Sequence, residues 1–127
     1  MPNGPADLAR LLLGNASGDL AALTVLIPSE VDDSILGFHA QQAVEKSLKA
    51  ALAARGAEYE RTHDLEYLVE LAQSVGLEAP IATDELAQLT QWAVRFRYEA
   101  EVPALDRARA LSIVRSMNDW ASAIVAG

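Results

Sequence analysis

Phe38-His39-Ala40-Gln41-Gln42-Ala43-Val44-Glu45-Lys46-Ser47-Leu48-Lys49-Ala50 sets a run of polar side chains into a helix that is otherwise small or apolar. Such a helix is expected in an interior, where polar groups need partners. Glu45 stands seven residues from both Phe38 and Leu52, four from Gln41 and three from Leu48, so its carboxylate shares the most apolar stripe. An ionised, unpaired carboxylate there would be strongly destabilising. On the next stripe His39, Gln42, Lys46 and Lys49 follow one another at three, four and three. The two stripes together predict one polar seam along an interior helix.

This helix is expected to run from about Ser34 to Arg55 and to stop at Gly56, a residue suited to the position after a helix end. Before it, a first helix should extend from Pro5 to Ile27, with Leu12, Ala16, Leu20, Leu23 and Ile27 on one face and Pro28 ending it. Gly14 and Gly18 weaken its middle, which predicts a kink or a close packing there. After it, Thr62 or Asp64 should cap a third helix through Val75, closed by Gly76. A fourth is expected from Thr83-Asp84 to Tyr98-Glu99, with Leu86, Leu89, Ala93 and Phe96 inward. A fifth, capped by Asp106, should carry Leu111, Val114, Met117, Ala121 and Ile124 on one face.

The 127 residues suit one domain, and a chain rich in Ala and Leu with few β-branched residues is built for helices. Short connections then predict an all-α, up-and-down antiparallel bundle of four long helices and one shorter, over residues 1–127. Without cysteine there is no disulfide and no thiolate metal site. The N-terminus lacks a basic n-region and no apolar run is long enough to span a bilayer, so no membrane association and a cytoplasmic location are expected. A formal charge of −8 argues against non-specific binding to a phosphate backbone and leaves any such contact to a local basic cluster. Gly-rich phosphate loops are absent, the lone Glu60-x-x-His63 falls in a turn, and no nucleophile elbow occurs, so neither metal nor cofactor is expected.

Each polar residue has a structural and a functional reading. Glu45 is expected to pair with Arg95 or Arg97, or with a symmetry mate, and alternatively to position Arg97 or a ligand. His39 and Gln42 suit a hydrogen-bonded core or interface more than catalysis. Lys46 and Lys49 either snorkel to solvent or meet an anion. Thr62, His63 and Asp64 form a helix start, which also suits an anion. Arg97 and Tyr98, where the fourth helix ends, complete the set, while Trp92 and Trp120 are read as packing or dimer contacts.

The run from Phe38 to Ala50, then Thr62-His63-Asp64-Leu65, then Arg97-Tyr98, with Ala16-x-x-Asp19-Leu20 in the first helix, resembles the HEPN domain (higher eukaryotes and prokaryotes nucleotide-binding) of small prokaryotic proteins. The resemblance covers nearly the whole chain. It implies a helical bundle that commonly forms a homodimer, a nucleotide- or RNA-related role, and a minimal nucleotidyltransferase as partner in a two-component, often toxin–antitoxin, system. Family members that cleave RNA without metal use an Arg followed four to six residues later by His; here Arg97 is followed by Tyr98-Glu99-Ala100-Glu101-Val102-Pro103, without one. Three readings follow: a non-catalytic nucleotide-binding or accessory subunit, a divergent ribonuclease using His39 or His63 beside Arg97, and a structural dimeric interaction module.

Overall fold

A computed structural model describes residues 4–93 and 104–127. Among the described residues five α-helices follow in order, α1 (Pro5–Leu26), α2 (Asp33–Ala54), α3 (Leu65–Ser74), α4 (Thr83–Ala87) and α5 (Arg107–Ala126), with a 3-10 segment, Gln88–Ala93, continuing α4. No strand occurs among the described residues, and the all-α bundle expected from the sequence is what the chain forms.

The long helices begin and end where their end residues dictate. Pro5 stands at the first turn of α1, where a missing N–H costs nothing. Asp64, rather than Thr62, caps α3 by accepting the Tyr67 N–H at 3.3 Å, and Asp106 caps α5 by accepting from Arg109 N at 3.1 Å. Gly56 (φ 68°) and Gly76 (φ 82°) close α2 and α3 in the left-handed conformation that side chains resist. The middle helix is the hub: α2 packs on α1, α3, α5 and the 3-10 segment, and thirteen of its 22 residues are buried. Leu36, Val44, Leu48 and Leu52 of α2 meet Leu23, Leu65, Leu68, Leu86 and Met117 in one core.

The fourth helix departs from its expected length. It is five residues long and gives way to the 3-10 segment, and the rest of the stretch expected to be helical, with Arg95, Phe96, Arg97 and Tyr98, lies outside the described residues. The reason is a change of period. Leu86, Leu89 and Trp92 recur every three residues and all are buried, and three residues per turn keeps such a row on one line where an α-helix would rotate it away. That row lays the Trp92 indole on Gly37 of α2, where a Cβ would sit 2.3 Å from the ring. Gly37→Ala should therefore lower stability by about 1–3 kcal/mol through overpacking, although alanine favours helix, and urea unfolding measures it.

The glycines of α1 hold the opposite surprise. The helix runs unbroken through Gly14 and Gly18, and a Cβ added at either would meet nothing within 4 Å, so no close contact among the described residues accounts for them.

One residue ties the bundle's ends together. Arg107, at the start of α5, donates to the carbonyls of Ile27 (3.0 Å), Ser29 (2.7 Å) and Val31 (2.6 Å) and to Asp33 Oδ1 (2.9 Å). Asp33 Oδ2 in turn accepts the Leu105 N–H at 3.0 Å. The α1–α2 connection is thereby fastened to α5.

Candidate functional site

Residues spaced by three and four on α2 emerge on the one side of that helix left partly open, and two carboxylates organise them. Asp19 of α1 faces His39 and Lys46, two turns apart on α2: its Oδ1 lies 3.0 Å from His39 Nδ1 and its Oδ2 accepts from Lys46 Nζ at 3.0 Å. Glu45 holds the second group. Its Oε1 lies 2.7 Å from His63 Nδ1 and accepts from Gln41 Nε2 at 2.9 Å, and its Oε2 accepts from Lys49 Nζ at 3.0 Å. The seam is thus a carboxylate–histidine–lysine set made twice, side by side.

Gln41 and Gln42 fix the arrangement. Gln41 also donates to the His63 carbonyl at 3.3 Å, which tethers the chain before α3, and Gln42 Nε2 donates to Gln41 Oε1 at 2.8 Å. An ionised carboxylate only accepts, so each histidine presents Nδ1–H inward and keeps Nε2 for something else. Neither Nε2 has a partner among the described residues.

Electrostatics differ between the two sets. Burial pushes the Glu45 carboxyl up, but hydrogen bonds from Gln41, His63 and Lys49, with the Lys49 charge behind them, outweigh it and hold the group below the ordinary carboxylate value. Burial, and then the negative charge of Glu45, push the Tyr59 phenol up, and Lys49 Nζ sits 5.6 Å from that ring. Glu45 is 6% exposed at its side chain, whereas Lys46 and His39 keep 26% and 27%. The carboxylate and lysine of the Asp19 set are thus the more open pair, while His63 of the Glu45 set, 64% exposed, is the more open histidine.

Arg95 and Arg97, the partners expected for Glu45, lie outside the described residues; among the described residues Glu45 pairs with Lys49, His63 and Gln41, because the turn before α3 brings His63 over α2 and Lys49 lies one turn along. Arg97 and Tyr98 lie outside the described residues. Thr62 and Asp64 are not part of the seam: Thr62 Oγ1 accepts the Asp64 N–H at 3.0 Å, and Asp64 serves as the α3 cap. Trp92 is a packing residue, 5% exposed. The anchoring role of Asp19 was missed, although the signal used for Glu45 was present. This acid stands three residues from Ala16 and four from Leu23, both fully buried.

The arrangement offers spare donors on Lys46 and Lys49 and an oriented imidazole in each set, a chemistry that suits an anion or a proton transfer. Among the described residues no three His, Asp or Glu side chains gather as metal ligands would, and no helix is long and apolar enough to cross a membrane. A family model described as HEPN domain matches residues 9–124. No curated protein and no solved structure matches the chain.

Proposed function

The chain belongs to the HEPN domain family, and from that premise we propose that it is a non-catalytic binding subunit whose α2 seam receives the phosphate of a nucleotide or of RNA, in the service of a nucleotidyltransferase-type partner. The observation that carries this reading is the doubled carboxylate–histidine–lysine set. Lys46 and Lys49 lie three residues apart on one face, each held by a carboxylate that fixes its position yet uses only one of its three N–H donors. A phosphate placed across them gains charge-assisted hydrogen bonds without either lysine being reordered.

Lys46→Ala tests it. Removing one charge-assisted contact should weaken ATP or a short RNA about tenfold, by titration calorimetry, since about 1.4 kcal/mol corresponds to that factor. Stability should change by less than about 1 kcal/mol, because the Asp19–Lys46 pair is partly solvated. Unchanged binding with a folded variant would count against the site.

A divergent ribonuclease is the second reading, and one observation favours it: Asp19 orients His39 with Nε2 left for acid–base work. Metal-independent RNA cleavage lost in both His39→Ala and Arg97→Ala would replace the binding reading with this one.

A further inference from the structure

Where α1 begins and α2 stops, the bundle leaves a cleft of about 570 Å³. Its walls include Pro5 and Leu8 of α1, Ala53 of α2, and Ala57, Glu58 and Tyr59 of the turn beyond. That volume falls in the range of small-ligand sites, about 300–1,000 Å³. Among the described residues Glu58 is the one charged member of the lining, which holds no lysine, arginine or histidine. Such a lining repels a phosphate and admits a flat, uncharged group.

Tyr59 is the residue that the cleft and the seam share. Lys49 Nζ stands 5.6 Å from the centre of its ring, within reach of a cation–π contact, and the negative charge of Glu45 acts on its phenol. The turn that carries Tyr59 is pinned on both sides of it. The Ala57 N–H donates to the Leu52 carbonyl at 3.0 Å, and the Glu60 N–H donates to the Tyr67 hydroxyl at 3.1 Å. The ring is therefore a wall in place before any ligand arrives, which lowers the ordering cost of binding.

We propose that this cleft takes the base of a nucleoside di- or triphosphate, stacked against Tyr59, while the phosphates of the same molecule run along α2 over Lys49 and then Lys46. The placement rests on the phosphate-binding reading of the seam and gives that ligand a direction. Lys46, Lys49 and Ala53 follow at three and four, so the two lysines and the cleft wall share one stripe of α2, spread over about 10 Å of helix axis. Charge fixes which end goes where. A nucleotide has a neutral aromatic base at one end and an anion at the other, a ribose apart. The cleft offers an aromatic wall and an acidic residue, whereas Lys49 and Lys46 each offer two N–H donors beyond the one a carboxylate holds. The reverse placement would set phosphate beside Glu58 and leave both lysines facing a neutral base. Stacking on an aromatic side chain tolerates every base, so the cleft recognises nucleotides as a class.

Titration calorimetry on the full chain with ATP, AMP, adenosine and inorganic triphosphate separates the two halves of the site. ATP should bind at least about tenfold more tightly than inorganic triphosphate, although the latter carries more charge, since one stacked base contributes about that factor. Tyr59→Leu should bring ATP down to the affinity of inorganic triphosphate, and Tyr59→Phe, which keeps the ring, should restore the preference. Leu8→Trp fills the cleft from a position that is 44% exposed, and it should abolish the preference without touching Tyr59. Equal affinity for ATP and inorganic triphosphate would overturn the base cleft and leave the phosphate seam standing. A preference that survives both Tyr59→Leu and Leu8→Trp would overturn it as well, by placing the base elsewhere. AMP ends at Lys49 and should bind more weakly than ATP; equal affinities would overturn the run of phosphates along α2. Adenosine that binds and is lost in Tyr59→Leu, with no binding of inorganic triphosphate, would keep the cleft and remove the seam. No binding of any of the four would overturn both.

Discussion

Arg107→Ala is expected to lower the unfolding free energy by about 3 kcal/mol, with a melting temperature lower by roughly 10 °C. The guanidinium makes four contacts with the α1–α2 connection and Asp33. Hydrogen bonds to a charged group contribute about 1.5–3 kcal/mol each and do not add in full, because water reaches carbonyls that the truncation uncovers. Arg107 is 28% exposed at its side chain, which keeps the loss below that of a sealed pair. Position argues for a tertiary role. A cation in the first turn of α5 opposes that helix's dipole, while its contact with the Ile27 carbonyl brings positive charge to the C-terminal end of α1, which has no basic residue of its own. Lysine cannot spread donors across three carbonyls and a carboxylate, so Arg107→Lys should recover less than half of the loss in urea unfolding. A variant within about 0.5 kcal/mol of the parent would mean that the clasp fastens nothing.

What could be read from the sequence follows the range of the interactions. Local signals located the long helices: Pro5, Asp106, Gly56 and Gly76 mark ends through backbone chemistry that needs no partner, and the structure places the bounds of α1 and α2 within one residue of the expected ones. The polar side chains of α2 were legible because helical spacing alone puts Gln41 and Glu45 on one stripe and His39, Gln42, Lys46 and Lys49 on the next, although Lys49 turns back to Glu45. Their partners were not. His63 reaches Glu45 from 18 residues away and Asp19 reaches His39 from 20, and which carboxylate meets which histidine depends on how the helices dock. Arg107 is the extreme case, with contacts 74 to 80 residues away and nothing local to mark it. The fourth helix was misjudged for another reason. Leu86, Leu89 and Ala93 fit an α-helical period, and only the seating of Trp92 on Gly37 favours the three-residue period that the chain adopts.

Glu45→Ala is expected to cost about 3 kcal/mol at neutral pH and progressively less in acid. At neutral pH the substitution leaves Lys49, Gln41 and His63 without their shared acceptor and strands a lysine that is 13% exposed, the circumstance in which breaking an ion pair costs most. The pH dependence follows from the direction of the shift. The folded carboxyl titrates below its ordinary value, so its contribution is complete above the unfolded pKa, about 4.3, and is lost as pH falls through the lower folded value. Stability of the parent and of Glu45→Ala, measured by urea unfolding from pH 6 to pH 2, should converge at the acid end. Glu45→Gln keeps the acceptor oxygen for Gln41 or His63 and loses the charge, so it should fall between the two at pH 6 and remove the acid-dependent part of the difference. A gap between parent and Glu45→Ala that stays constant to pH 2 would assign the loss to packing rather than to the carboxylate's bonds. Convergence would place the carboxylate's charge at the centre of the seam, as the group that holds Lys49 and His63 in position.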